Sequence, residues 1–183
     1  MTRTVLVLSV VAGLTACAAS GPRFADPAGG AAAPPAAEQA RLVVIRPGQT
    51  PQYAVRDARL MLDRAWVGGV MPEGYRVFDV APGAHTLVVD MWDAPGRCEL
   101  AIEARAGATH YFAVAPRVES VLAGAPASMV PAISPAAGLL STMVLLGGMA
   151  FESAGKPCGG AFAIAAVDGD AVQPQLSELR LSQ

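Results

Sequence analysis

Few residues in this chain could do chemistry. It has three cysteines and two histidines. Cys98 and Cys158 form an even pair, which in an oxidising compartment reads as one disulfide. That bond would tie the start of one strand to the segment just before the last strand. Two unpaired core thiols are the plainer alternative, and a metal or redox pair is a third, without the Cys-x-x-Cys spacing that would favour it. His85 and His110 would hold a metal only if the fold brought them together with a third ligand such as Asp63 or Asp90. Nothing in their spacing suggests this, and both are expected at strand starts, partly exposed. Asp57, Asp63, Asp79, Asp90 and Asp93 are spread over loops and strand faces, whereas paired-acid hydrolysis needs two carboxyls within several ångström in one cleft. No serine sits in a G-x-S-x-G elbow. Gly68-Gly69 and Gly159-Gly160 lack the phosphate-loop pattern. Trp66, Tyr75 and Trp92 are the residue types of an aromatic platform for a glycan or peptide, but core packing is the simpler expectation for them. On this reading the chain has no catalytic residue, needs no metal and no cofactor, and is not an enzyme.

Cys17 is a separate case. Arg3 gives a positive start, and Val5 to Gly13 is an apolar run far short of the roughly 20 residues a membrane-spanning helix needs. The run ends in Leu14-Thr15-Ala16-Cys17, which resembles a bacterial lipobox. The resemblance implies a signal peptide over residues 1–16, diacylglycerol on the Cys17 sulfur, cleavage before Cys17 and acylation of the new amino group. Several acyl chains anchor stably because each buried methylene contributes about 0.8 kcal/mol. An ordinary secretory signal with an incidental cysteine is the alternative. Ala18 stands where an aspartate tends to retain lipoproteins of Gram-negative bacteria in the inner membrane. For such a source the motif therefore implies the outer membrane, on its periplasmic face. The expected partners are membrane lipid through acylated Cys17 and an envelope protein. Nucleic acid is not expected: the net charge is −2, and Lys156 is the single lysine among scattered arginines.

These residues must be placed by the rest of the chain. Residues 17–40 are nearly all Ala, Gly and Pro and read as a disordered tether spanning on the order of 25–30 Å. Folded material is expected from Arg41 to Gln183. Leu42-Val43-Val44-Ile45 is apolar on both sides, so it should be a central strand or one covered on both faces. Ala58 to Asp63 alternates, Asp63-Arg64 turns, and Ala65 to Val70 returns, with Gly68-Gly69 suggesting a bulge or a close backbone approach. Tyr75 to Val80 and His85 to Trp92 read as two strands joined by a tight type II turn at Pro82-Gly83. Cys98 to Arg105 alternates, with Cys98, Leu100, Ile102 and Ala104 inward. Thr109 to Ala115 follows. Short strands at close spacing, bounded by Gly or Pro, predict an all-β fold, mainly an antiparallel β-sandwich.

Leu42 to Arg46, the segment LMLDRAWVGGVMPEGYRVFDVAPGAHTLVV and the strand containing His110-Tyr111-Phe112 resemble the bacterial domain-of-unknown-function family 2846. That family is similar in layout to β-sandwich modules of the PEGA and carboxypeptidase-regulatory type and often sits on lipoproteins. Asp63-Arg64 departs from its usual Asp-Gly, which implies a different turn there. The resemblance brings no activity and no catalytic residue.

From Val118 the pattern changes. Met129 to Phe151 carries no charge and reads as an apolar, partly helical insertion. It is expected to pack on the sheet, with membrane contact or an oligomer face as alternatives. Ala161 to Val167 reads as a last strand. Ala171 to Leu181 reads as a short amphipathic helix or irregular edge, limited at its start by Pro174 and docked by Leu176, Leu179 and Leu181.

Overall fold

The computed structural model describes residues 19–27, 31–48, 53, 55–117 and 158–183. The expected signal peptide over residues 1–16, Cys17 and the apolar run 129–151 lie outside the described residues. The strands are β1 (Ala40–Arg46), β2 (Ala58–Leu62), β3 (Ala65–Val70), β4 (Gly74–Val80), β5 (Gly83–Met91), β6 (Ala94–Ala104), β7 (Thr109–Pro116), β8 (Phe162–Val167) and β9 (Arg180–Leu181). One helix, α1 (Gly169–Leu176), lies between β8 and β9. The strands form a five-stranded sheet of order β8-β7-β1-β4-β9 and a four-stranded sheet of order β3-β2-β5-β6. The fold is the all-β, sandwich-like arrangement that the alternation predicts.

Strand β1 is the centre of the larger sheet, and every one of its residues is buried. Leu42 and Val44 face the smaller sheet together with Phe112, Val114 and Ile164; Leu60, Leu87, Val89 and Leu100 come to meet them. A fully buried Leu, Val or Ile contributes about 1.5–3 kcal/mol, against about 1 kcal/mol net for a hydrogen bond. The two sheets share no strand pairing, so this interior holds them together.

Two features of the sheets differ from expectation. The larger sheet is mixed, since β1 runs parallel to β7 and β4 parallel to β9. Pro82-Gly83 is also no hairpin turn, because β4 and β5 belong to different sheets. Phe78 and Val80 of β4 and Leu87 and Val89 of β5 enter one core from opposite sheets, so the two strands face each other across it. Gly83, with φ +130°, makes the crossing.

The other face of the larger sheet carries Val43, Ile45, Tyr75, Ala113 and Ala115. Val172 and Leu176 of α1 cover part of it, with Leu179. The helix begins at Gly169, two residues earlier than expected, because Asp168 caps it by accepting the Asp170 N–H at 2.8 Å; Pro174 lies inside it. So short a helix leaves apolar surface uncovered, and the N-terminal segment supplies the remainder.

Over the described residues 19–27 and 31–40, the chain docks on the sheet instead of forming the expected tether. Phe24 packs edge-on against Tyr75 with ring centroids 5.2 Å apart, and the Tyr75 hydroxyl donates to the Pro22 carbonyl at 3.3 Å. Leu181 exchanges backbone hydrogen bonds with this segment, accepting from Gly21 N–H at 3.0 Å and donating to Pro22 O at 2.8 Å. Arg41 holds the next stretch. Its guanidinium grips Asp79 across the sheet through Nε–Oδ1 at 2.7 Å and Nη2–Oδ2 at 2.8 Å, and it also donates to the Ala33 carbonyl. That grip raises the Arg41 pKa and lowers that of Asp79. Ala19, Phe24 and Ala31 are buried as a result.

Candidate functional site

The smaller sheet turns one face to the core and one outward. Cross-strand register sets the outer rows: Met61 lies between Trp66 and Val88, and Arg59 opposite Asp90. Val88 continues to Glu99 and Asp90 to Arg97. A shallow concavity of about 830 Å³ runs over this face, lined by Met61, Thr86, Val88, Arg97 and Glu99 and bounded by Asp63 and Arg64. Two ion pairs lie on the face. Arg59 Nε stands 3.6 Å from Asp90 Oδ1, and Arg97 donates to Glu99 at 2.6 Å. The Arg59 guanidinium also covers the Trp66 ring at 5.2 Å from its centroid.

Contrary to the core expectation, Trp66 is 55% and Trp92 63% exposed; of the three aromatics only Tyr75 is buried. Trp66 has the outward parity of Met61, its register partner, so the core face of the sheet is closed to it. Trp92 lies in the turn between β5 and β6, where Arg56 covers its ring and pairs with Asp93. Gly68-Gly69 marks a close approach, as expected. The Arg76 guanidinium lies over Gly68, where a Cβ would come within 2.8 Å of Cζ, and the Asp57 carboxylate lies against Gly69. The strand irregularity falls opposite them, between Leu60 and Met61.

The pKa values of the two histidines are shifted in opposite directions. Asp63 and Arg64 both adopt positive φ, at 50° and 71°, which gives the primed turn of a two-residue hairpin without glycine. The turn aims the Asp63 carboxylate at β5. Its Oδ1 accepts the Thr86 N–H at 2.9 Å and its Oδ2 meets His85 Nδ1 at 2.6 Å. His85 Nε2 meets the Ala81 carbonyl at 2.8 Å. Both ring nitrogens therefore face acceptors, so the protonated ring satisfies the site best. Asp63 and the Ala81 carbonyl raise the His85 pKa, and His85 lowers that of Asp63. His110 Nε2 instead accepts the Arg105 N–H at 3.0 Å, so its proton belongs on Nδ1. Burial, with Arg105 nearby, lowers its pKa. Neither ring presents an unengaged Nε2 for a metal or a general base. Among the described residues there is no group of three or more His, Cys, Asp and Glu that could hold a metal ion.

The His85–Asp63 pair gives a pH prediction. The raised His85 pKa contributes stability fully present below its ordinary value of 6.5 and lost as pH rises through the folded value. The lowered Asp63 pKa contributes stability present above its ordinary 3.8 and lost as pH falls through the folded value. The pair therefore supports the fold best between those two ordinary values. In an NMR titration His85 should titrate above His110, and Asp63→Asn should lower the His85 midpoint while leaving His110 unmoved. Equal midpoints in the parent protein would contradict the pairing.

Cys98 and Cys158 are joined as a disulfide, with Cα atoms 4.2 Å apart. Glycines allow the approach: a Cβ on Gly96 would stand 2.3 Å from the Gly159 carbonyl oxygen, and Gly159 N–H donates to Arg97 O at 3.0 Å. The five carboxylates singled out in the sequence do not form an acid pair. Asp63 faces His85, Asp79 faces Arg41, Asp90 faces Arg59 and Asp93 faces Arg56, while Asp57 lies at Gly69. Sequence reasoning missed the arginines as a set, and only outward parity beside tryptophan or aspartate signals Arg59. No family model, no curated protein and no solved structure matches the chain.

Proposed function

We propose that this protein is a lipid-anchored module of the bacterial envelope, on the periplasmic face of the outer membrane, that binds an envelope protein and catalyses no reaction. The observation that carries the binding role is the outer face of the smaller sheet. Trp66 stands exposed there beside charges already neutralised by their neighbours. Exposed aromatic rings with arginine are the residue types that dominate protein interfaces. A balanced face favours a partner of mixed charge over a polyanion. The anchor rests on the Leu14-Thr15-Ala16-Cys17 motif, and the relation to family 2846 rests on the strands quoted above. The engaged nitrogens of His85 and His110 argue against a hydrolase. Membrane contact or self-association through Met129–Phe151 is the competing role.

A photoreactive amino acid at Thr86 tests the binding face in intact cells. Irradiation should give a discrete heterologous adduct that weakens when Trp66 is changed to Ala. An adduct only with a second copy of the chain would favour self-association, and no adduct would count against the binding role.

A further inference from the structure

Several chain ends and exposed groups meet at one end of the sandwich, that of the β3–β4 turn at Pro72. Strand β1 finishes there, Arg46 opposite Gly74. Strand β2 starts there, Ala58 opposite Val70, and β5 passes into β6 there, Met91 opposite Ala94. Strand β7 finishes there, Pro116 opposite Phe162.

The N-terminal segment reaches this same end. Ala19 is 7% exposed, donates its N–H to the Pro72 carbonyl at 3.3 Å and packs against Gly74. Cys17 is two residues before Ala19. Two extended residues span at most about 7 Å. An anchor at Cys17 thus has only that reach to the docked chain, instead of the length of a free tether.

Among the described residues, two of the three exposed large hydrophobic ones also lie here, Val55 at 61% and Trp92 at 63%. The Arg56 guanidinium sits 5.4 Å from the Trp92 ring centroid. A tryptophan with an arginine at its rim suits the headgroup layer, where an apolar ring meets a wet, charged boundary. Arg46 joins these pieces by donating to the carbonyls of both Arg56 and Val70. The chain leaves the described fold at Arg117 and re-enters at Cys158 at this end too, with Arg117 N–H bonded to Ala161 O at 2.9 Å.

We infer that the Pro72 end of the sandwich rests directly on the lipid surface, with Val55, Arg56 and Trp92 in the headgroup layer. The inference rests on the lipid anchor proposed above and adds the orientation it imposes. The occupant is lipid because of reach: a folded partner is thicker than the few ångström between Cys17 and Ala19. The binding face of the smaller sheet then stands beside this contact, with Trp66 further along the strands toward the opposite end.

The chain holds two tryptophans, so two variants read the two positions separately. Trp66→Phe leaves Trp92 and Trp92→Phe leaves Trp66. Each full-length mature protein is purified from membranes, checked by intact mass for lipid on Cys17, and reconstituted into phosphatidylethanolamine–phosphatidylglycerol vesicles with and without brominated chains. Trp92 emission should fall about twofold or more with brominated lipid, while Trp66 emission stays nearly constant. Equal quenching of both, or none of Trp92 in lipidated protein, would overturn the orientation and leave the anchor standing. Protein without lipid on Cys17 would overturn the anchor, and the orientation with it.

Discussion

Arg46→Met should lower the unfolding free energy by about 3 kcal/mol or more, because each buried carbonyl left without a donor costs about 1–3 kcal/mol. Arg46 is the last residue of the central strand and is 1% exposed. It donates to the Tyr53 carbonyl at 2.8 Å, to the Val70 carbonyl at 3.3 Å and to the Arg56 carbonyl, and lies 4.7 Å from the centre of the Phe162 ring. Burial lowers its pKa to about 10, so it remains charged at neutral pH. Methionine fills much of the volume and satisfies none of the carbonyls. Arg46→Lys should recover little, since an ammonium lacks the planar fork that reaches several carbonyls at once. Urea unfolding followed by far-ultraviolet circular dichroism checks both. A loss below about 0.5 kcal/mol for Arg46→Met, the range of ordinary surface changes, would show that the pin is not structural. Arg46 also fixes Tyr53 and Arg56 on either side of Val55, so the same variant should loosen the Pro72 end.

Loss of the Cys98–Cys158 bond should have the largest effect. The two cysteines are 60 residues apart, and the chain-entropy model gives about 4 kcal/mol for closing a loop of that size. Cys98 is fully buried in the sheet interior, so the double change to alanine also removes some packing. Thermal unfolding with and without reductant separates the two contributions. The parent protein should melt lower under reductant, while the double alanine variant should melt low in both conditions. A parent protein indifferent to reductant, with both thiols free by mass spectrometry, would contradict the bond.

Much of the fold was legible because period-two alternation survives in the strands. Cys98, Leu100, Ile102 and Ala104 point inward as their spacing implies. Leu42 to Ile45, apolar on both sides, is covered on both sides. The sheet crossing at Pro82-Gly83 was hidden because alternation gives each strand an inward face without saying which strand lies beside it. The docked N-terminal segment was hidden by its composition. Phe24 is the sole aromatic in a run of Ala, Gly and Pro, and its burial depends on an uncovered sheet face that only the assembled fold reveals. Ring size favours burial of Trp66 and Trp92 on average, while local parity in β3 and the β5–β6 turn sends these two outward. The His85–Asp63 pair was unreadable in sequence, since the primed turn that aims Asp63 uses Asp-Arg where glycine is usual.

The proposed lipid on Cys17 would tie the domain to a membrane and set which end meets it. Intact-mass measurement of the protein extracted from cell membranes tests this directly. The expected result is a mature chain beginning at Cys17, carrying a thioether diacylglycerol and an acylated amino terminus, with processing blocked by globomycin. A mature chain that begins elsewhere, or carries an unmodified Cys17, would contradict it.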